Sequence, residues 1–397
     1  MKSQPILIVG AGPVGLTVAL SLAHQGVPVH VIEDEAGLTM DQRAGSFHPP
    51  TLEMLAPLGV TEEMHQIGLK VPRWQVRDRK QGVIVEWDLG LIGDLTPYPY
   101  RFHLEQHRLT PILFHKLHAY RHASVRFSTQ FISATQDASG VTALTSAGPV
   151  KTPWLVACDG GRSLVRKNLG IDFEGFTWPE RFIVISTTED FAKAGFTSNA
   201  YVADPKEWAA VFHMPHDRPP GLWRMAFPVH PDEDEQAVLA DEAVEARMQR
   251  FAARPDRYEV PYRGIYRVHQ RVAKEWRAGR VVLAGDAAHL NNPLGAFGLN
   301  GGLHDAILLA DYLGKVWRGE ADETLIDRYV RQRRTANVEF VQTQSIANKR
   351  MLEEPDPAAR EKRFAELRQI AADRDAARDF LIKSSMIWSV RRAAEIE

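Results

Sequence analysis

Apolar and polar positions follow two different rhythms along this chain. Pro5 to Val9 is a short apolar run suited to a buried strand, and a helix from about Val14 to His24 follows, closed by Gly26. Val27 to Ile32 forms a second strand ending at Glu33. The same alternation returns late in the chain. Val281 to Ala284 is an apolar run broken at Gly285-Asp286, and a loop rich in Gly, Pro and Asn comes next. Leu303, Ala306, Ile307, Ala310 and Leu313 then recur at helical spacing, with Asn300-Gly301-Gly302 predicted where that helix offers its unpaired N-terminal amides.

Between these two units the period shifts toward strands. Val76, Val83, Val85 and Trp87 lie around a Lys80-Gln81-Gly82 turn and predict a hairpin. A helix opens at Gln106 and runs through Leu117, and Val125 to Phe127, Val141 to Thr145 and Trp154 to Cys158 read as further strands. From Arg181 to Arg263 the chain is strand-rich, at Phe182 to Ser186, Ala200 to Val202, Ala209 to Met214 and Leu222 to Val229. Alternation puts Val211 and His213 on one face of their strand, and Leu222, Arg224 and Ala226 together on another; it leaves open which face looks inward. After an acidic run, Asp232 to Glu235, a helix extends to Phe251. Thr324 to Met351 reads as one long polar helix and Pro357 to Phe380 as another, with an apolar tail, Phe380 to Trp388, expected to dock on the core or a partner subunit.

Composition narrows the function classes. A chain of 397 residues, 44% hydrophobic and 25% charged, has the core of two or three globular domains. Its net charge of -2, with both signs mixed, argues against a nucleic-acid partner. The single cysteine, Cys158, excludes an internal disulfide and a Cys-based zinc site. No signal-peptide core and no apolar stretch of membrane length is present, so a cytoplasmic protein is expected. His115, His118 and His122 share a helix face but lack a nearby carboxylate or a fourth ligand, and no metal site is expected.

The chemistry sits where strands turn into helices. Gly10-Ala11-Gly12-Pro13-Val14-Gly15 follows a strand, opens a helix and has an acid, Glu33, about 20 residues on. Gly10 permits the tight turn, Gly12 lets a pyrophosphate approach the backbone, Gly15 lets helix and strand pack, and Glu33, with Asp34 beside it, is placed for the adenosine ribose. Asp159-Gly160-Gly161-Arg162-Ser163-Leu164-Val165-Arg166 is a second motif, with Ser163 a natural N-cap. The Gly285-Asp286 unit is the third.

In this order the three motifs resemble the fingerprints of the FAD-dependent aromatic hydroxylases of the para-hydroxybenzoate hydroxylase type. The resemblance covers most of the chain and is strongest over the first 60 residues, 155 to 170 and 280 to 315. It implies an α/β fold: a Rossmann-like FAD-binding domain with an inserted, mostly antiparallel substrate sheet and C-terminal helices. The expected FAD-binding domain takes residues 1–72, 98–180 and 264–345, the substrate domain 73–97 and 181–263, and a helical segment 346–397. The chain is expected to lack the thioredoxin-like domain that some relatives carry after this point.

Residue by residue, the resemblance implies FAD contacts from Gly10, Gly12, Pro13, Val14, Gly15, Glu33 and Asp34. It places Arg43 beside flavin and nicotinamide nucleotide, Gln106 and Arg108 near the flavin diphosphate or ribityl chain, and Asp159 and Gly160 at the pyrophosphate. Arg162 and Arg166 would help receive NAD(P)H. Gly285 and Asp286 would hold the ribityl chain, Pro293 would lie on the face where oxygen reacts, and Gly298, Leu299 and Asn300 belong to the run that gives backbone amides to the ring. Asn292 stands where many members have a second proline. His213, Arg224 and Tyr201 are candidates to orient an aromatic substrate or take its phenolic proton, while His48 is read as structural. The implied activity is a single-component monooxygenase: NAD(P)H reduces FAD, O2 adds as a flavin C4a-hydroperoxide, and one oxygen passes to a phenolic or hydroxylated heteroaromatic ring. The expected partner is a small aromatic substrate, and the protein a monomer or homodimer. Two other readings are a flavin reductase or halogenase, the latter weakened by the absence of GWxWxIP, and a non-catalytic binding protein on a flavin fold, which would not need Glu33 and Asp286.

Overall fold

The computed structural model describes residues 4–40, 45–217 and 219–397. Its organising layer is a six-stranded sheet ordered 277–278, 281–283, 155–157, 6–9, 29–32 and 123–126, parallel except at its first pair. The four-residue strand Ile6–Val9 is buried throughout, as a central parallel strand covered on both faces must be. Helices Pro13–His24 and Phe297–Arg318 pack against one another on this sheet. An antiparallel meander, 131–137, 140–145 and 148–152, extends this half of the molecule.

The second layer is an eight-stranded, mostly antiparallel sheet ordered 289–290, 262–273, 173–187, 222–229, 209–214, 199–203, 73–78 and 82–88. The α/β architecture with an inserted sheet is therefore borne out. Two expected boundaries, 180/181 and 263/264, fall inside strands Phe173–Thr187 and Tyr262–Ala273, which belong to this sheet along their length. The ends of these long strands, at Phe173 and Ala273, pack on the core of the first layer, a continuity that local alternation does not reveal.

The C-terminal residues pack as helices on the outer end of the eight-stranded sheet, burying Leu352, Phe364, Leu367 and Leu381 against Trp74, Val76 and Trp87. The long polar helix is interrupted: Thr324–Ala336 passes through a π-helical stretch, Asn337–Gln342, into Thr343–Glu353. The next helix breaks as well. Pro357–Ala372 ends at Asp373, whose carboxylate caps Arg374–Ser384. No described helix is long and apolar enough to cross a membrane.

Candidate active site

At the first turn, the three glycines meet different surroundings. Gly10 has φ +106°, and a Cβ there would lie 2.4 Å from the Cys158 carbonyl oxygen; a Cβ on Gly15 would lie 2.0 Å from that of Gly10. Both are dictated by packing of turn, helix and neighbouring strand. Around Gly12 a Cβ would meet nothing within 4 Å, so this backbone is open to a ligand at the positive end of the helix that begins at Pro13. Glu33 accepts the Ala11 amide at 2.6 Å on Oε2 and the Glu35 amide at 3.1 Å on Oε1, and each oxygen keeps a lone pair for a ribose hydroxyl. Asp34 is exposed and accepts from Gln130 at 3.2 Å. Val14 fills the space between motifs: a Cβ on Gly285 or Gly302 would lie 2.8 or 2.7 Å from its Cγ2.

The Asp159 loop and the Gly285 turn lie side by side. Asp159 accepts the Val165 amide at 3.1 Å on Oδ2, while Oδ1 is buried with no partner among the described residues, and burial pushes its carboxyl up. An orphaned acceptor of this kind calls for a donor that the chain does not supply. Gly160, at φ +74°, borders open space, and Ser163 caps the short helix by accepting the Arg166 amide at 3.0 Å. Arg162 is exposed. Arg166 is not available to an incoming nucleotide: its buried guanidinium donates to the Ala287 and Gly161 carbonyls at 2.8 and 2.9 Å and lies 3.7 Å over the Phe173 ring. It ties the two loops together, which corrects its expected role in receiving NAD(P)H.

The Gly285 turn is held from below by Asp305, a residue the motif reading passed over. This fully buried carboxylate accepts from the Gly285 amide at 3.1 Å, His289 Nε2 at 2.7 Å and Arg333 Nε at 2.6 Å, and Arg333 also donates to the Gly301 carbonyl at 3.2 Å. Burial alone would raise its pKa; Arg333 and then His289 hold it down to about 2. An acid set among Leu303, Ala306 and Ile307 on a helix was the available signal. Asp286 sits on the exposed side of the same turn.

The long helix begins at Phe297, three residues earlier than expected, so its free first-turn amides are those of Phe297, Gly298 and Leu299, and Asn300 to Gly302 lie within it. The Asn300 side chain is fully used: Nδ2 donates to the Ser46 and Ala296 carbonyls at 2.8 and 2.6 Å, and Oδ1 accepts from the His48 amide and the Thr51 hydroxyl at 2.9 and 2.6 Å. His48 donates from Nε2 to the Gly295 carbonyl at 2.8 Å and stacks on Phe297; burial and then Arg101 depress its pKa to about 3, so it is neutral. Asn292 replaces the second proline with a clamp: its amide and Nδ2 donate to Gln270 Oε1 at 3.1 and 3.4 Å, Nδ2 to the Ser345 carbonyl at 3.0 Å, and Oδ1 accepts the Leu294 amide at 3.0 Å. Pro293 is left exposed beside it.

Strand register decides which face of the large sheet looks toward this loop. His213 pairs with Trp223 and Val211 with Met225, all on the face covered by helices Glu235–Leu239 and Asp241–Phe251. His213 stacks on Trp223 at 4.8 Å and uses both ring nitrogens, Nε2 at 2.6 Å from the Pro220 carbonyl and Nδ1 at 3.4 Å from Ser198 Oγ. It thus lies on the face opposite Tyr201 and does not line the cavity described below, which its expected catalytic role would require. Tyr201 and Arg224 look the other way. Arg224 is buried in an ion pair with Glu105. Gln106 and Arg108 occupy the first turn of helix Gln106–His118; Arg108 lies 3.9 Å from Asp217 in an open depression, and neither lines the cavity described next. Arg43 lies outside the described residues.

Between the inner face, residues 295–297 and the C-terminal helices is a cavity of about 40 Å³ with walls from Trp74, Tyr201, Phe297, Leu352 and Phe380. Arg101, from strand Arg101–His103, enters it, and sequence reasoning missed this residue. The signal was an arginine between Tyr100 and Phe102 in an alternating aromatic run. Arg101 is 3% exposed, donates to Asn199 Oδ1, and lies 4.5 Å over the Trp74 ring, while its Nε is buried without a partner among the described residues. Burial lowers its pKa, and the nearby Tyr201 oxygen opposes that shift electrostatically; a guanidinium stays charged there. The Tyr201 oxygen accepts the Gly295 amide at 3.2 Å, and Tyr201 lines the cavity. His118 and His122 bond to the separate carbonyls of Phe114 and Ala23.

The open backbone at Gly12 and Gly160, the orphaned Asp159 Oδ1 and the free amides at Phe297 to Leu299 together fit an extended dinucleotide ending in a flat ring. Residues 3–344 match the FAD-binding domain family. The chain is 35% identical to the para-nitrophenol 4-monooxygenase of Pseudomonas sp. strain WBC-3 over 388 residues, 95% of this chain and 94% of that protein. It is 33% identical to a 6-hydroxy-3-succinoylpyridine 3-monooxygenase of Pseudomonas putida over 384 residues, 95% and 96% of the two chains. The crystal structure of a p-nitrophenol 4-monooxygenase from Pseudomonas putida superposes with a TM-score of 0.91 at 34% identity, covering 98% of both chains. With the cradle and the fold in agreement, the chain belongs to the FAD-dependent aromatic hydroxylases.

Proposed function

We propose that this monooxygenase hydroxylates a single-ring phenol carrying an electron-withdrawing para substituent, of the nitrophenol type, with NAD(P)H and O2 as co-substrates. The observation that carries the reading is the buried Arg101 guanidinium in an aromatic-walled cavity beside the Gly295 loop, with no carboxylate lining it among the described residues. One water needs about 10–15 Å³ on this scale, so about 40 Å³ suits one ring rather than a fused polycycle. The names of the two relatives, a nitrophenol and a hydroxypyridine monooxygenase, point the same way.

Bound FAD, reduced by NAD(P)H, would supply the activation of O2, one atom of which passes to the ring while the other leaves as water. The chain's own residues bind, orient and exclude water. Gly12, Glu33, Asp159 and Gly160 would hold the adenosine and diphosphate end, Asp286 the ribityl chain, and the amides of Phe297, Gly298 and Leu299 the electron-rich edge of the ring. Arg101 lowers the pKa of the phenol by favouring its anion, and Tyr201 donates its hydroxyl proton to the same oxygen. An ionised phenol is the more electron-rich ring, which the reaction requires. Trp74, Phe297 and Phe380 keep the ring in place and the cavity dry. Dependence on NAD(P)H fits a cytoplasmic enzyme, active as a monomer or homodimer.

The test is NAD(P)H oxidation in air by FAD-loaded protein with para-nitrophenol, para-hydroxybenzoate, hydroxypyridines or no addition. Many-fold stimulation by a para-substituted phenol, with one added oxygen in the product, is expected. Stimulation without oxygen in the product would sink the reading in favour of a flavin reductase.

A further inference from the structure

The outer wall of the cavity is built by residues from Gln344 onward, at and beyond the end of the matched family region at 344. Most polar groups there are committed to the fold. Asn348 donates to the Leu294 carbonyl at 3.1 Å and accepts from Gln344 at 2.9 Å, and Ser384 donates to the Leu381 carbonyl at 3.5 Å. Arg363 differs. Of its donors, only Nη1 has a protein partner among the described residues, Glu366 Oε2 at 3.1 Å. The two side chains of that pair are 49% and 44% exposed, so water screens it and it competes weakly for the guanidinium.

Two arginines from different walls therefore line one cavity: Arg101 from the strand beside the Gly295 loop and Arg363 from helix Pro357–Ala372. No acid among the described lining residues balances either. A ligand with one oxygen answers one cation; a ligand with electron-dense oxygens at both ends of the ring answers both. We propose that Arg363 is a specificity-determining residue that receives the nitro or carboxylate oxygens of the para substituent while the phenol oxygen faces Arg101. This rests on the cavity being the phenol site, as proposed above.

The test compares wild-type enzyme with Arg363→Met, Arg363→Lys and Glu366→Gln. Dissociation constants are read from the perturbation of flavin absorbance without NAD(P)H, and kcat and KM from turnover, for para-nitrophenol, para-hydroxybenzoate, phenol and para-cresol. Arg363→Met raises Kd and KM for the first two by about tenfold or more while those for phenol and para-cresol stay within about twofold. Arg363→Lys recovers part of the loss, and Glu366→Gln leaves all four near wild type. An equal rise for all four ligands, or no rise for the first two, overturns the assignment of Arg363 while leaving the cavity reading intact. Wild-type enzyme that neither binds nor turns over any of the four overturns the cavity reading, and the Arg363 assignment with it.

Discussion

Arg333 and Arg101 are 4% and 3% exposed, and both lie within the frame of the flavin site, yet their surroundings are opposite in kind. Arg333 meets a carboxylate, Asp305, and a carbonyl, so its charge is cancelled inside the protein and the result is a rigid join between the Gly285 turn and two helices. Arg101 meets neutral partners, the Asn199 amide oxygen, the Tyr201 hydroxyl and the Trp74 face. Burying a cation against neutral groups is costly unless an anion arrives. On the proposed reading, the difference separates a joint from a binding site: a buried charge with its counter-ion in the chain holds the fold, and one without it is left to answer a ligand.

The largest effect expected from this contrast is on stability at the joint. Asp305→Asn leaves Arg333 buried without its anion and should cost about 3–5 kcal/mol, read as a lower urea midpoint at neutral pH and loss of bound FAD. A shift below about 1 kcal/mol would mean that the joint is not a stabilising element, and the contrast would collapse.

Acid pH should act on both regions in sequence. His48, His103 and His304 are pushed by burial to about 3, from 6.5 in the unfolded chain, so the unfolded state binds protons first. Their contribution is complete above about pH 6.5 and lost as pH falls toward about 3. Asp305, held at about 2 against 3.8 unfolded, contributes stability above pH 3.8 that is lost only as pH falls through about 2. Urea midpoints should therefore begin to fall between about pH 6.5 and 5, before Asp305 titrates; a flat midpoint down to pH 4 would contradict the buried neutral histidines.

Arg101→Met should behave in the opposite way to Asp305→Asn. Its melting temperature and FAD content should stay near wild type, while kcat/KM for a phenol falls by about 10- to 100-fold, the worth of a charge-assisted hydrogen bond. Unfolding comparable to that of Asp305→Asn would place Arg101 among the joints. The smallest effect is predicted at His213, on the far side of the sheet: His213→Gln should change stability by about 0.5 kcal/mol or less and leave kcat/KM within about twofold. A large loss of activity there would show that the outer face takes part after all.

Legibility in the sequence followed how local the physical constraint is. The strand, glycine turn and helix at Gly10 to Gly15, the Ser163 cap and the Gly82 hairpin are set by neighbours a few residues apart, and they were readable. The resemblance gives Arg166 an outward task because its motif lies near the cofactor, but its side chain has a bonding partner more than a hundred residues away that no local pattern announces. The start of the long helix was misplaced by three residues because Ala296, at φ +60°, begins it from a left-handed turn that its residue type does not signal.

The amino-acid sequence by itself determined the strand, glycine turn and helix at Gly10 to Gly15 with Glu33 in register, a pattern suited to a dinucleotide, and the alternating strands of the second sheet, since each follows from spacing and residue type along a few turns of chain, while the resemblance of the Gly285-Asp286 unit to a flavin fingerprint pointed to FAD. Tertiary structure alone decided which face of that sheet looks inward, turning Tyr201 toward the cavity and His213 toward Trp223 on the opposite face. It also brought Arg101, Tyr201, Phe380 and Arg363, spread over more than 250 residues, around one cavity. The reason is physical: alternation fixes which residues share a face, but only the packing of one layer on another fixes what that face meets.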